Sequence, residues 1–469
     1  MRNTIAIVGA GFSGTVLAAN LLRRPLSNAT DVVLIERGSS MGRGVAYADR
    51  EFPYLLNVPA ARLSADSRDP LQFLRFAQRH DARIGGEDFL PRALYGDYLQ
   101  DVLAQAERAA PASSRLLRVF GEVRDIEVRE IIEPGSDHRF AAQFTDRPPI
   151  MADRLVLAVG NPPPPRLPWA AALRDHRAYR DDPWDLPTTL GAEQSVLIVG
   201  NGLTMVDVAS ALSRDARCAP LLHTISRRGL VPLPQTTFRP FAIRSGGEAI
   251  LARANSMRRV LAATRELTRE VEEKGGDWRE VITFIRHLAP ALWGRLPVSE
   301  RRRFVRHLQP YWDIHRHRLP PQLVARIDSL RRSGRLRVNA GRIDSVTAAG
   351  ERLQVLWRPR GGESTTLTVD LIVNATGSDY TLERSADPLL TALRAAGHVS
   401  KDAHSLGLRT AQYGACVNVQ GAASRHLYYL GPMLRANHWE ATAAAELRDH
   451  AEQLAAHLAT DPQGEDPKA

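Results

Sequence analysis

The stretch TIAIVGAGFSGTVLAANLL, residues 4–22, decides the fold. It opens as an apolar strand, passes through a glycine loop and continues as an apolar helix with Val16, Leu17, Ala19 and Leu21 on or near its buried side. Each glycine has a physical cause. Gly9 permits the tight turn, Gly11 lets the backbone approach a pyrophosphate, and Gly14 lets the helix pack on the strand. With Phe12 and Ser13 between them, these glycines put the free N–H groups of a helix N-terminus against the phosphates. The next strand, DVVLIER (31–37), ends in Glu36 and Arg37, and the Glu36 carboxylate is placed to accept from both ribose hydroxyls. The gap from Gly9 exceeds the usual spacing of about 20 residues, and RRPLSNAT (23–30) supplies a loop to absorb the excess. A glycine fingerprint by itself says little. Strand, loop, helix, strand and terminal acid in that order say a dinucleotide-binding unit.

The pattern recurs in QSVLIVGNGLTMVDVASALS, residues 194–213. Gly200 and Gly202 fill the first two positions, followed by Leu203 and Thr204, while Met205 stands where the third glycine is expected. That helix is predicted to sit slightly further from its strand and still to bind phosphate. The following strand, LLHTISRRG (221–229), ends in Ser226, Arg227 and Arg228 with no acid. An acid repels a 2′-phosphate, whereas a guanidinium pairs with it in a fork, so this ending favours NADPH, with NADH as the lesser donor. The competing reading is that these arginines merely finish an edge strand.

Working outward, DRLVLAVGNP (153–162) and DLIVNATGSD (370–379) are apolar runs ending near Gly160 and Gly377, placed where the chain crosses between units. The last segment, RHLYYLGPMLRANHWEATAAAELRDHAEQLAAHLA (425–459), reads as a strand, a turn at Gly431 and Pro432, and a long closing helix. Between the second ribose strand and residue 330 the spacing becomes helical with Gly-Gly and Pro breaks, which predicts an insertion of three or four helices. GRLRVNAGRIDSVTAAGERLQVLWRP (334–359) then alternates like a β-meander with turns at Gly341 and Gly350. The expected fold class is α/β, with two Rossmann-type dinucleotide-binding domains. One is discontinuous over 1–190 and 371–469; the other is inserted at 191–370 and carries the helical insertion at 245–330.

Composition narrows the function. At 469 residues the chain is long enough for two or three packed units. A formal net charge of +10 invites a nucleic-acid partner, but Lys274, Lys401 and Lys468 are the only lysines. Arginine is spread over many surfaces, and SERRRFVRHL and DIHRHRLP carry no interleaved aromatic platforms, so solvated helix faces are expected and no nucleic acid. Cys218 and Cys416 are far apart with no Cys-x-x-Cys, which excludes a disulfide framework, a zinc ribbon and a redox dithiol. His315 and His317 stand two apart without accompanying carboxylates or cysteines, so no metal site is expected. Gly-x-Ser-x-Gly occurs once, at Gly38–Gly42, directly after the Glu36 strand and without the following apolar helix that a nucleophile elbow needs, and His-Glu-x-x-His does not occur. Arg2 before an apolar run mimics a signal peptide, but the loop glycines account for it better, and no run of about 18 apolar residues is present. A cytoplasmic protein without a membrane partner is expected. The tail TDPQGEDPKA (460–469) reads as frayed.

The stretches YLLNVPAARLSAD, PRALYGDYL, VLIVGNGLTMVDV, ISRRGLVP, RRRFVRHLQPYWDIHRHRLPP, IVNATG and LYYLGPMLRANHWEATAAAELR together resemble the FAD/NAD(P)-binding protein family over nearly the whole chain. The resemblance implies FAD in the discontinuous domain and NADPH in the inserted one, with a distant similarity to N-hydroxylating and Baeyer–Villiger flavin monooxygenases. One group of this architecture is described as urate hydroxylases. The implied chemistry is reduction of FAD by NADPH, addition of dioxygen at flavin C4a and hydroxylation of a small molecule, which needs shielding from water more than reactive side chains. A flavin reductase passing electrons to another acceptor and a non-catalytic FAD-holding partner protein are the alternatives. A homo-oligomer is compatible with either.

The resemblance also places MGRGVAY (41–47) and LLNVPAARLSA (55–65) against the flavin, with Gly42 and Gly44 admitting the backbone to the pyrophosphate and ribityl chain. Asn57, beside Val58, either hydrogen-bonds the flavin region or caps the turn before Pro59. Val123 is placed where such folds touch adenine through the backbone. In ANHWE (436–440), His438 is a candidate proton donor or acceptor whose pKa a helix end would lower, and Trp439 stacks on the ring or walls the substrate cavity. The plainer reading is a helix start with Asn437 as N-cap and a packed Trp439. Arg435 holds an anionic substrate or pairs with Glu440.

Overall fold

The structure, a computed structural model, describes residues 2–129, 139–187, 190–215, 219–236, 242–243 and 245–460. Cys218 and the tail at 461–469 lie outside them. The chain divides into two compact units, the first comprising 1–162, 288–298 and 380–469, the second 163–287 and 299–379.

The first unit begins with β1 (Asn3–Val8), α1 (Phe12–Leu22) and β2 (Thr30–Glu36), then α2 (Gln72–His80), α3 (Arg92–Arg108) and β3 (Ser114–Phe120). A small antiparallel sheet of β4 (Asp125–Val128), β5 (Phe140–Gln143) and β6 (Ile150–Ala152) precedes β7 (Arg154–Leu157). The apolar run of β1 is flanked by β2 and β7 in parallel, and β2 is buried along its whole length. Central parallel strands covered on both faces read as continuous apolar runs for this reason. Every residue of α1 is buried, since it packs against α3 and, later in the chain, α12.

The second unit contains β8 (Tyr179–Arg180), β9 (Ser195–Val199), α4 (Leu203–Leu212) and β10 (Leu221–Ser226). A helical stretch follows: α5 (Gly247–Ala252), α6 (Met257–Glu273), α7 (Trp278–Arg295), α8 (Val298–Arg303), a π-helical turn at Phe304–Leu308, α9 (Gln309–Arg316) and α10 (Pro321–Arg332). Then come β11 (Leu336–Ala349), β12 (Arg352–Pro359), β13 (Thr365–Val369) and β14 (Leu371–Asn374). The sheet order is β13-β12-β11-β10-β9-β14-β8, with a parallel set from β11 to β8 and an antiparallel extension through β12 and β13. The first unit is completed by α11 (Pro388–Ala395), β15 (Ala415–Val417), β16 (Ala423–Tyr429) and α12 (Ala444–Thr460), giving the order β15-β16-β7-β1-β2-β3.

Four expectations are corrected. The cuts drawn at 190 and 370 fall at 162 and 379, because β8 and β14 pair with each other and β14 with β9 in the second sheet. The helical stretch holds more than three or four helices, its residues 288–298 cluster with the first unit, and α10 packs on α4 and β11 as the crossover between β10 and β11. Gly341 is not a turn: it lies inside β11 opposite Pro359, where a Cβ would come within 2.4 Å of the Arg358 carbonyl. The closing helix starts at Ala444, not around 437. Gly431 and Pro432 open a 3-10 turn over Pro432–Ala436, and tight bonds from Ala441 to His438 and from Ala443 to Glu440 hold the chain in turns before α12.

Candidate functional site

In the first unit the loop between β1 and α1 is shaped by contacts that leave no room for side chains. Gly9 has φ +105°, and a Cβ there would lie 2.2 Å from the Ala158 carbonyl oxygen at the end of β7. A Cβ on Gly14 would lie 1.9 Å from the Gly9 carbonyl oxygen. Gly11 and Gly44 face each other closely, since a Cβ on Gly44 would lie 3.1 Å from the Gly11 Cα. The first α1 bond runs from the Thr15 N–H to the Gly11 carbonyl at 3.0 Å, so the amides of Phe12, Ser13 and Gly14 have no partner within the helix. The segment 40–44 is held to α3 by Gln100, which donates to Ser40 Oγ and the Met41 carbonyl, and by the Arg43–Asp97 ion pair. Gly42 and Gly44 take positive φ there, and the Gly42 N–H donates to the Ala10 carbonyl at 2.7 Å.

Glu36 is buried, and its two carboxylate oxygens accept from the Ala10 N–H at 2.8 Å and the Gly38 N–H at 2.9 Å. Arg37 lies 3.9 Å from Asp387 with over half its side chain exposed, a contact of little energetic weight. Asn57 and Val58 make no hydrogen bond among the described residues, so the Asn57 side chain does not cap the turn before Pro59. Val123 is buried, yet its backbone N–H and carbonyl also lack partners among the described residues. Gly160 takes φ +77° with open space beyond it. Gly431 is extended, and a Cβ there would lie 2.8 Å from the Tyr429 hydroxyl.

The second unit repeats this geometry. The Gly9 N–H bonds the Ile35 carbonyl, and the Gly200 N–H bonds the Ile225 carbonyl. Ala158 donates to Val8 as Ala375 donates to Val199, and a Cβ on Gly200 would lie 2.4 Å from the Ala375 oxygen. Gly377, with φ +84° and open space, corresponds to Gly160. The match sets Ser226 in the place of Glu36 and Arg227 in the place of Arg37. Ser226 Oγ accepts from the Gly229 N–H at 3.0 Å, as Glu36 accepts from Gly38. Leu203, Thr204 and Met205 open α4, whose Val206 N–H reaches the Gly202 carbonyl at 3.4 Å. Arg227 is exposed and has no hydrogen bond or ion pair among the described residues. Arg228 lies over the Tyr311 ring at 5.4 Å and donates weakly to the Arg306 carbonyl at 3.4 Å. Tyr311, on α9, was not foreseen; only its nearness to a basic run could have signalled it.

His438 and Trp439 sit in the turns before α12. His438 stands 4.5 Å from the His450 ring, centroid to centroid. Its pKa is lowered, and burial is the cause rather than a helix end. Burial, and then the neighbouring His438, bring His450 down to about 4. Asn437 is not an N-cap: its Nδ2 donates to the Thr410 carbonyl at 2.6 Å. Trp439 is buried beside Trp293 at 4.9 Å, and Arg435 makes no ion pair with Glu440 but lies between the Trp439 and Tyr380 rings. His315 bonds the Tyr311 carbonyl and meets the Trp278 ring edge-on, and no group of three or more potential metal ligands occurs among the described residues. No helix among the described residues is long and apolar enough to cross a membrane.

The architecture is that of proteins with two dinucleotide-binding domains. Residues 6–162 match the family model described as FAD-NAD(P)-binding. Ornithine hydroxylase from Pseudomonas aeruginosa superposes with a TM-score of 0.63 at 18% identity, covering 98% of this chain and 99% of that one. The FAD-bound cadaverine monooxygenase of desferrioxamine biosynthesis from Erwinia amylovora gives 0.64 at 13% identity, with coverage of 100% and 97%. Bacillithiol disulfide reductase from Staphylococcus aureus gives 0.52 at 14% identity, with coverage of 99% and 100%. At these identities the likeness speaks for the fold. No protein of curated function matches the sequence.

Proposed function

We propose that this chain is an NADPH-dependent FAD monooxygenase acting on a small organic molecule, an amine or urate being the candidate substrates. The observation that carries the reading is the pair of glycine loops with matching backbone hydrogen bonds and opposite ribose positions, Glu36 in one and Ser226 with Arg227 in the other. A carboxylate suits a ribose with free hydroxyls, and a serine followed by an unpaired guanidinium suits a 2′-phosphate. The first unit fits FAD on its own contacts: a glycine cradle that a Cβ would fill, helix amides without partners, and an unbonded backbone at Val123. Gly9, Gly11, Phe12, Ser13, Gly14, Glu36, Gly42 and Gly44 would hold its adenosine and pyrophosphate, with Asn57, Val58, Gly160, Gly431 and Pro432 toward the flavin. Gly200, Gly202, Leu203, Thr204, Ser226, Arg227 and Arg228 would hold NADPH.

Bound FAD supplies the acceptance of a hydride and the delivery of electrons to dioxygen. The side chains have the remaining tasks. Trp439 walls off water, and the imidazole of His438, kept neutral by burial, is available to take up or release a proton. The hydroxylases named above support oxygen insertion as the destination of the electrons. The purified flavoprotein, reduced anaerobically with NADPH or NADH and then mixed with oxygen-18 and a panel of amines and urate, tests the reading. Faster reduction by NADPH and label in a product are expected. Electron delivery to quinones or dyes with no label in any product overturns it.

A further inference from the structure

We propose that Arg435 forms the recognition point for a planar organic anion, such as an aromatic carboxylate, so that the substrate of the proposed monooxygenase is an anion rather than a simple diamine. The proposal rests on that functional reading for the word substrate, and on the first unit alone for its geometry.

Arg435 follows the Gly431–Pro432 turn at the C-terminal end of β16, and Leu430 donates to the Leu157 carbonyl at the end of β7. This is the sheet edge that also carries the Gly9 loop, and ligands of open α/β sheets bind at the carboxyl ends of the strands. The guanidinium carbon lies 4.1 Å from the centre of the Trp439 ring and 5.2 Å from that of Tyr380. Both rings are themselves fixed. Trp439 packs on Trp293, whose Nε1 donates to the Ala436 carbonyl at 2.8 Å, and the Tyr380 hydroxyl donates to Asn161 Oδ1 at 3.1 Å.

The rings hold the cation in place but accept none of its in-plane N–H groups. Arg435 Nε is buried with no hydrogen-bond partner, and Arg435 has no hydrogen bond or ion pair among the described residues. A half-buried guanidinium whose Nε–H is buried and unanswered is costly, and a carboxylate in its plane answers that donor and one Nη donor at once. The flanking rings favour a flat ligand, which extends the stack beside Trp439. A dication such as a simple diamine meets the same guanidinium as a like charge.

The test uses the FAD-loaded protein with benzoate as the anionic probe and benzamide as its neutral isostere. Binding is read by tryptophan fluorescence and the flavin difference spectrum, neither of which needs turnover. Benzoate is expected to bind tighter than benzamide by on the order of tenfold or more, the factor for one charge-assisted contact. Arg435→Gln is expected to remove that advantage, and Arg435→Lys to keep part of it. Equal binding of the two probes, binding of neither, or an unchanged preference in Arg435→Gln overturns the proposal. So does a lowered flavin midpoint potential in Arg435→Gln with benzoate binding intact, which would assign the guanidinium to the reduced flavin instead. Since the wild-type comparison needs no variant, misfolding of Arg435→Gln does not rescue the idea. None of these readings depends on oxygen insertion, so the functional reading fails or survives separately.

Discussion

Ser226→Glu should convert the second loop to the electrostatics of the first. The register of the two loops puts Ser226 where Glu36 stands, and the Gly229 N–H already points at Ser226 Oγ from 3.0 Å, as the Gly38 N–H points at Glu36 from 2.9 Å. A glutamate at 226 would therefore accept from Gly229 and, by the Ala10 analogy, from the Asn201 N–H, which has no backbone partner among the described residues. So placed, the carboxylate faces the ribose. Against a 2′-phosphate about 4 Å away the repulsion is ~1 kcal/mol in full solvent and ~4 kcal/mol at a partly screened surface. Ser226 is half-buried and Arg227 exposed, so a value of about 2 kcal/mol is reasonable, or roughly 30-fold weaker NADPH binding. NADH, with hydroxyls that donate to the new carboxylate, gains on the order of 1 kcal/mol. The preference should shift by about two orders of magnitude in total. Anaerobic stopped-flow bleaching of the flavin over a range of NADPH and NADH concentrations measures it. A ratio altered less than threefold, with flavin content unchanged, would refute both the equivalence of Ser226 with Glu36 and the 2′-phosphate assignment.

Gly14→Ala would bring a Cβ within 1.9 Å of the Gly9 carbonyl oxygen, in a helix buried on every side. The strain should cost about 1–3 kcal/mol and deplete bound flavin, seen as a lower visible-to-ultraviolet absorbance ratio and a lower Tm; full flavin with an unchanged Tm would contradict the cradle. His450 is held near 4 when folded against an ordinary value of 6.5, so its neutral form contributes stability that is complete above pH 6.5 and lost as pH falls toward 4. Tm should therefore drop in that window, by about 1.4 kcal/mol of stability per pH unit at most from this group. His450→Gln should flatten the drop, and an identical pH profile in the variant would show that the burial acts elsewhere.

Both nucleotide loops were legible because Gly9, Gly14 and Gly200 answer backbone collisions, and collisions of this kind leave few alternatives in sequence. The acid at 36 and its replacement at 226 were legible for a similar reason: they end strands whose apolar runs are unmistakable. The unit boundaries were not. β8 has only two residues, Tyr179 and Arg180, and no periodicity marks so short a strand, so residues 163–190 looked like part of the first domain. Gly341 was read as punctuation although β11 runs through it, because a glycine demanded by the crowding of Trp357 and Arg358 looks in sequence like a glycine demanded by a turn. The stretch 437–443 mixes the helix formers Glu440, Ala441 and Ala443 with the weaker Asn437, His438, Trp439 and Thr442, and the tertiary tie from Asn437 to Thr410 holds its start outside the helix that begins at Ala444. The Arg435 cluster draws on residues 161, 293, 380, 435 and 439, a distance in sequence that no local pattern spans.

The two ribose positions also differ in how much freedom they have left to lose. Glu36 is fixed by two backbone amides before any ligand arrives, so its rotamer entropy has already been lost on folding. Arg227 has no partner among the described residues, and ordering such a side chain costs about 1.5–2 kcal/mol at the moment of binding. Under the proposed assignment the first loop would meet its dinucleotide with the Glu36 side chain already ordered, whereas the second, although Ser226 is tethered to the Gly229 N–H, would have to order Arg227 anew at each arrival.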